Sequence, residues 1–293
     1  RLVDQIAPSF RDDRQARNTR RRWNREAYRW AAPLADPLEP LEQRVLSDMY
    51  DAEVAYQDDY LGSLFDALAQ RTRAEDTLSL VVADHGDGLG EHGYMGHAFV
   101  AYQELIHVPL IAHWPRRLPA GTRVTTPVST RRVFHTALDA AGELPETLPA
   151  ASARQAQALT LVDTIYGRDA ENGVAFAEVY PPLNFVRAIE HRQPHLLEQF
   201  GCLSLRRALL RDELKLIEVD GESRELFDLD RDPLELDNVL SQRLPDAAEL
   251  ERQMAQLAEH VERQRDNTTA GAPLGEQMDK RLLQQLRGLG YIE

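Results

Sequence analysis

Cysteine is almost missing from this 293-residue chain. Cys202 stands alone, which excludes an internal disulfide framework and says little about redox compartment. Lysine is scarce too: only Lys215 and Lys280 occur among 34 basic residues. That arginine bias reads as genomic composition, with thermal adaptation as the alternative. No run of about 18 apolar residues is present, so no segment reads as a membrane span. The chain begins at Arg1 and shows no apolar signal-peptide stretch near its start. An N-terminal piece is therefore expected to precede it, and export is left open. Positive charge is outweighed as well. The formal net charge of -14 argues against nucleic acid as a partner, because duplex binding normally shows as a basic surface. What the chain does have is core-forming material. At 43% hydrophobic residues it is not a disordered polymer, and its length suits one large domain or two smaller ones.

Residues 1–30 hold nine Arg against four acids. The default reading is a solvated, irregular segment with aromatic anchors at Trp23, Tyr28 and Trp30; the sharper one is a rim that attracts an anionic substrate. From Leu41 to Gln70 the apolar residues Val45, Met49, Ala52, Tyr56, Tyr60, Leu64 and Leu68 recur at spacings of three and four, which predicts a helix. Thr77–Ala83 reads as a short buried strand ending at Asp84. A glycine-dense loop follows. Phe99–Ile106 looks helical, Val108–Trp114 reads as a second buried strand, and a further helix ends at Gly142. Alternating helices and strands of this kind predict an open parallel α/β sheet.

Residues 143–160 shift to Pro, Ala, Ser and Gln, which suggests a linker. Beyond it, Val174–Val179, Leu203–Leu210, Leu214–Val219 and Leu226–Leu229 have the spacing of a small antiparallel sheet. A helix is expected over Asp246–Gln264, then a connector over Asp266–Gly275 and a short helix over Glu276–Leu286. The expected division is an α/β domain over 1–145 and an α+β subdomain over 146–293.

The chemistry concentrates in residues 83–97, Ala-Asp-His-Gly-Asp-Gly-Leu-Gly-Glu-His-Gly-Tyr-Met-Gly-His. Asp84 and His85 stand where a buried strand runs out into a loop, the edge at which open α/β sheets bind ligands. An adjacent carboxylate and imidazole suit a divalent cation. Asp84-His85-Gly86 alone could be a strand-ending turn with a capping Asp, but His92 and His97 follow in the same loop. His92 reads equally as a structural histidine, whereas His97 reads as functional. His107, His113 and His135 are taken as structural.

Several ordered motifs carry a resemblance. They are Tyr50-Asp51-Ala52-Glu53 with Asp58 and Leu61-Gly62, then Ala83-Asp84-His85-Gly86, Leu89-Gly90-Glu91-His92-Gly93 and Gly96-His97, then Val108-Pro109-Leu110-Ile111. Leu226-Phe227-Asp228-Leu229-Asp230-Arg231-Asp232-Pro233 with Glu235 and Asn238, and the ending Leu286–Ile292, complete the set. From about residue 41 onward the chain resembles the second half of a sulfatase, in the alkaline-phosphatase-like superfamily. The resemblance implies that superfamily's parallel-sheet sandwich, in part, followed by the small α+β subdomain. It also implies that the C-terminus is natural and that the absent part lies upstream.

By that resemblance Asp84 and His85 are metal ligands, with calcium expected and manganese, zinc or magnesium as alternatives. His97 occupies the position of a basic residue that contacts the sulfate ester and its leaving oxygen, and His92 is carried with it as a second catalytic histidine of less defined role. The family's early acidic metal ligands do not occur here. Nor does its nucleophile motif, Cys- or Ser-x-Pro/Ala-x-Arg, so formylglycine is expected only upstream and the chain by itself is expected to be inactive. Cys202-Leu-Ser-Leu-Arg206 has the right separation without the Pro/Ala, and Cys202 reads as a small hydrophobe starting a strand. The expected substrate is a small-molecule or glycan sulfate ester. Two alternatives stay open: a phosphodiesterase, phosphonate hydrolase or phosphoryl transferase of the same superfamily, and a non-catalytic domain that binds an anionic glycan or partner.

Overall fold

A computed structural model describes residues 13–25, 32–142 and 158–268. The anchors expected at Tyr28 and Trp30, most of the linker with the boundary at 145/146, and the short C-terminal helix fall outside these residues.

Over the described part of the arginine-rich start, helix α1, Arg14–Arg25, stands where the sequence suggested an irregular segment. Asp13 caps it: its Oδ1 accepts from the amides of Gln15 (2.8 Å) and Ala16 (3.1 Å). Arginine is a good helix former, and Ala16 and Trp23, two turns apart, are both buried. Helix α2, Pro40–Ala69, begins with a reciprocal Glu39–Glu42 capping box and a proline in its first turn. The Trp23 indole donates to Glu42 (3.3 Å), and Arg22 pairs with the same carboxylate. Only the first half of the predicted α2 stripe is buried. Val45 packs with Ala16, and Leu46 with Trp23 and Met95, while Tyr56, Tyr60 and Leu64 are exposed.

Strand β1, Ser79–Val82, leads into a loop that contains the two-residue strands β2, Gly88–Leu89, and β3, Met95–Gly96, and the single-turn helix α3, Gln103–Ile106. It then returns as β4, Leu110–His113. Here the sequence expectation needs correction. β1 and β4 are antiparallel, with Val82 opposite Leu110 and Ser79 opposite His113. A parallel pair needs a crossover that carries the chain back to the opposite edge of the sheet. The connection here does not do that, so β1 ends and β4 begins at the same edge. Residues 83–109 thus form a loop with both ends anchored.

Helix α4, Arg132–Ala141, ends at Gly142 in the left-handed conformation (φ 70°). Short helices α5 (Leu161–Ile165), α6 (Leu183–Arg192) and α7 (His195–Gln199) follow. The antiparallel sheet has the order β5 (Val174–Val179), β6 (Arg206–Arg211), β7 (Leu214–Val219), β8 (Glu222–Asp228). Its two faces are built by alternation. Leu209, Leu216 and Leu226 stand side by side and pack on Ala247, Leu250 and Met254 of α8, Leu244–Thr268. Each such side chain contributes about 1.5–3 kcal/mol by leaving water. Ala208, Ile217 and Phe227 line the other face and pack on Ala101, with Tyr102 and Ile106 beside them. The sheet therefore backs directly onto the loop that follows β1. No helix among the described residues is long and apolar enough to cross a membrane.

Arg132 locks α4 to the chain that leads into β5. Its side chain is fully buried. It donates to the carbonyls of Leu159 and Thr160 (both 3.1 Å), to Thr164 Oγ1 (2.6 Å) and to Asp169 Oδ1 (2.5 Å). Burial works to raise the Asp169 carboxyl, but the amides of Gly173 and Glu171 and the Arg132 guanidinium outweigh it and hold it below the usual value. A depressed carboxylate stabilises the fold fully above its unfolded pKa, and that contribution is lost as pH falls through the folded one. Asp169→Asn is therefore expected to lose stability near pH 7. Denaturant titrations against pH should show the gap to the parent protein holding down to about pH 5 and narrowing below about pH 4. A gap that stays constant through that range would mean the charge of Asp169 is not what stabilises the corner.

Candidate functional site

The loop after β1 gathers four polar side chains. Asp84 Oδ1 accepts from the backbone amide of His85 (3.0 Å), and the Asp84 side chain is 76% exposed. His85 Nδ1 lies 2.7 Å from the carbonyl oxygen of Gly86. That carbonyl can only accept, so Nδ1 carries the proton and the lone pair sits on Nε2. Nε2 is 3.8 Å from Asp84 Oδ2. Two donors that share one divalent cation at about 2.0–2.6 Å each lie roughly 3–5 Å apart, so this pair has the spacing, the tautomer and the exposure for one ion. Among the described residues no group of three or more His, Cys, Asp or Glu is assembled for a metal. The pair fits a metal as part of a coordination shell.

His97 stacks on His85 with ring centroids 4.4 Å apart, and its Nδ1 lies 3.2 Å from Asp87 Oδ1. The Asp87 hydrogen bond raises the His97 pKa above the ordinary imidazole value; burial opposes the rise, and the charges of Asp87 and Asp84 add to it. Asp87 is a site residue that the sequence reading passed over. The available signal was a second carboxylate three residues after the first, in the same glycine loop.

His92, grouped with His97 in the sequence, is placed apart from it by its partners. Its Nδ1 lies 2.8 Å from Glu104 Oε1, its Nε2 lies 3.1 Å from the carbonyl oxygen of Glu235, and its ring stacks on Tyr102 at 3.7 Å. Both partners can accept, so both ring nitrogens are directed at acceptors and the protonated ring is favoured. Burial opposes this charge, but Glu104 and Glu235 together overcome it and raise the pKa. Neither nitrogen is left for a ligand.

Asp84, His85 and His97 lie on the wall of an open cleft of about 1220 Å³, which also reaches Arg123, Ser129, Thr130, Glu178 and Tyr180. Cys202 is elsewhere. It sits in a turn after α7, short of β6, rather than at a strand start; it is buried and its thiol faces the Leu196 carbonyl oxygen. Burial pushes that thiol up to about 11, which suits a small core residue and not a nucleophile.

Gly86 is required by close approach. Its amide donates to the Leu105 carbonyl oxygen (2.8 Å), and a Cβ on Gly86 would fall 1.9 Å from the Glu104 carbonyl oxygen. Gly90 is required by conformation, with φ 106°. Gly62, inside α2, has open space within 4 Å of the place where a Cβ would stand. Gly62→Ala should therefore raise stability by about 0.5–1 kcal/mol, whereas Gly86→Ala should lower it. Thermal unfolding of the two variants separates them, and a Gly86→Ala protein as stable as its parent would show that the loop is not closed against α3.

Residues 4–143 match the sulfatase family model. A choline-sulfatase of Rhizobium meliloti is 30% identical over 192 residues, covering 65% of this chain and 32% of that protein. A solved protein in complex with its substrate D-glucosamine-2-N,6-O-disulfate superposes with a TM-score of 0.58 at 20% identity, over 76% of this chain and 43% of the other. The phosphonate monoester hydrolase of Silicibacter pomeroyi superposes with a TM-score of 0.56 at 24% identity, over 77% and 43%. The chain spans about a third of the length of the curated relatives it matches. Its ordered motifs and the match over residues 4–143 liken the chain to sulfatases, and it shares the alkaline-phosphatase-like fold of the solved ones.

Proposed function

We propose that this chain supplies the Asp84–His85 side of an active site that hydrolyses sulfate monoesters. The observation that carries the reading is the convergence of Asp84, His85, Asp87 and His97 at the end of β1, with Asp84, His85 and His97 on one cleft wall. Sulfatases generally use a divalent metal. Asp84 Oδ2 and His85 Nε2 would hold it, with calcium favoured by the sulfatase pattern and manganese, zinc and magnesium as alternatives. When bound, such an ion neutralises charge on the ester oxygens.

His97 does the proton chemistry in this reading. Asp87 fixes its Nδ1, which leaves Nε2–H to donate to the ester oxygen as the carbon–oxygen fragment departs as an alcohol. His92 is read as holding the loop, because both of its nitrogens are already used. The nucleophile comes from residues outside this chain, formylglycine in the sulfatase pattern. The substrate is a small-molecule or glycan sulfate ester; the choline-sulfatase and the glucosamine-disulfate complex supply the precedent for each class.

A second reading, phosphonate or phosphodiester hydrolysis, has one observation in its favour: a phosphonate monoester hydrolase shares the fold. The deciding assay uses the product of the complete reading frame against aryl sulfates, sugar sulfates, aryl phosphodiesters and aryl phosphonates. Sulfate turnover is expected to exceed the others. Dominant phosphonate or phosphodiester turnover would move the site to the second reading, and no turnover of any ester would favour a non-catalytic anion-binding domain. Within the sulfatase reading, His97→Ala should cut turnover of alkyl or sugar sulfates by roughly 10²–10⁴-fold and that of activated aryl sulfates much less. Equal losses for both classes would make His97 a binding residue.

A further inference from the structure

Behind Asp84 and His85 lies a buried polar network that the proposed chemistry does not use. Lys215, on β7, has a fully buried side chain, and its Nζ is 2.6 Å from Oε1 of Glu235, whose side chain is fully buried too. The other oxygen, Oε2, accepts from the backbone amide of Gln103 (2.6 Å), and the Glu235 carbonyl oxygen accepts from His92. His92 in turn holds Glu104. Gln103 and Glu104 open α3, and the next residue, Leu105, accepts from the amide of Gly86, beside His85. A continuous chain of contacts therefore runs from the C-terminal sheet to the proposed metal-ligand corner.

Three features mark this as more than generic packing. Lysine is one of the rarest residues here, yet one of the two is placed in the core of an otherwise apolar strand segment, Leu214-Lys215-Leu216-Ile217. Buried ion pairs of this kind are poor sources of net stability, and well-packed apolar replacements often match them. Glu235 also adopts a left-handed backbone (φ 55°), a conformation that non-glycine residues avoid unless their surroundings impose it. Both its carboxylate and its carbonyl are thereby aimed at the loop.

We propose that the Lys215–Glu235 pair, together with His92, is a positioning device through which the C-terminal sheet sets the geometry of the Asp84–His85 corner. The path runs through Gln103–Leu105 and Gly86. The residues are positioning residues and touch no substrate. The proposal rests on the sulfatase reading only where metal binding and turnover are concerned; the ordering of the loop can be measured without either.

The double variant Lys215→Met/Glu235→Leu removes both charges and keeps the bulk. Hydrogen exchange is followed on peptides that cover residues 84–106 and, as reference, on those that cover β6–β8. Calcium affinity and the kcat and KM for an aryl sulfate are measured in parallel on the complete gene product. The expected result is retained protection in β6–β8, lost protection over 84–106, calcium affinity weaker by about tenfold, and a fall in kcat larger than the change in KM. Unchanged exchange over 84–106 in a folded variant would overturn the proposal. If the double variant does not fold, His92→Phe keeps the stack on Tyr102 and removes both donors. It should loosen residues 84–106 in the same way, and unchanged exchange there would equally overturn the proposal. Loss of protection in a protein that hydrolyses no sulfate ester would uphold the device while refuting the proposed function.

Discussion

The pairing of β1 with β4 governs this molecule, because it fixes both ends of the loop that carries every candidate catalytic group. Val82 and Leu110 face each other across the ladder. The intervening residues must therefore leave and return at one sheet edge, and the glycines and the β2–β3 hairpin fold them compactly there. Asp84 and His85 stand within two or three residues of a paired strand, so their backbone is anchored. His97 lies farther along and is brought back by its stack on His85 and by Asp87. The hydrogen bond from Gly86 to Leu105 cinches the loop on its far side.

Charge within this region is arranged in two tiers. The exposed tier, Asp84, His85 and His97, faces the cleft, and Asp87 is engaged with His97. The inner tier pairs Lys215 with Glu235 and His92 with Glu104, and the second Glu235 oxygen accepts from a backbone amide. Burial raises the Glu235 carboxyl and lowers the Lys215 amine, and their mutual attraction opposes both shifts. Such a group is stable only while complete, because an unpaired buried charge is far more costly than the absence of the pair. That all-or-none character suits a part whose job is to hold another part in place.

Much of this was legible in the sequence because it depends on local period. The α2 helix announces itself by its three-and-four spacing, and β5 and β7 match their predicted bounds because their apolar runs are interrupted by turn residues at both ends. Asp84 and His85 were recognisable from type, adjacency and position after a strand. The antiparallel sense of β1–β4 was not, because direction depends on where the chain goes between strands, and a four-residue helix looked like a crossover. The partnership of His92 with Glu235 spans 143 positions, beyond any local pattern. A lysine inside Leu-Lys-Leu-Ile was its one visible trace.

Everything proposed for the chemistry requires that Asp84 and His85 together hold a divalent cation at the edge of β1. Calorimetric titration of the complete gene product with calcium, set beside its Asp84→Asn and His85→Ala variants, puts that requirement to the test. Binding is expected in the parent, with a loss of affinity of at least about tenfold in each variant and the fold intact by circular dichroism. Parent-like calcium affinity in both variants would refute the assignment and move the cation, and the chemistry with it, away from this corner of the sheet.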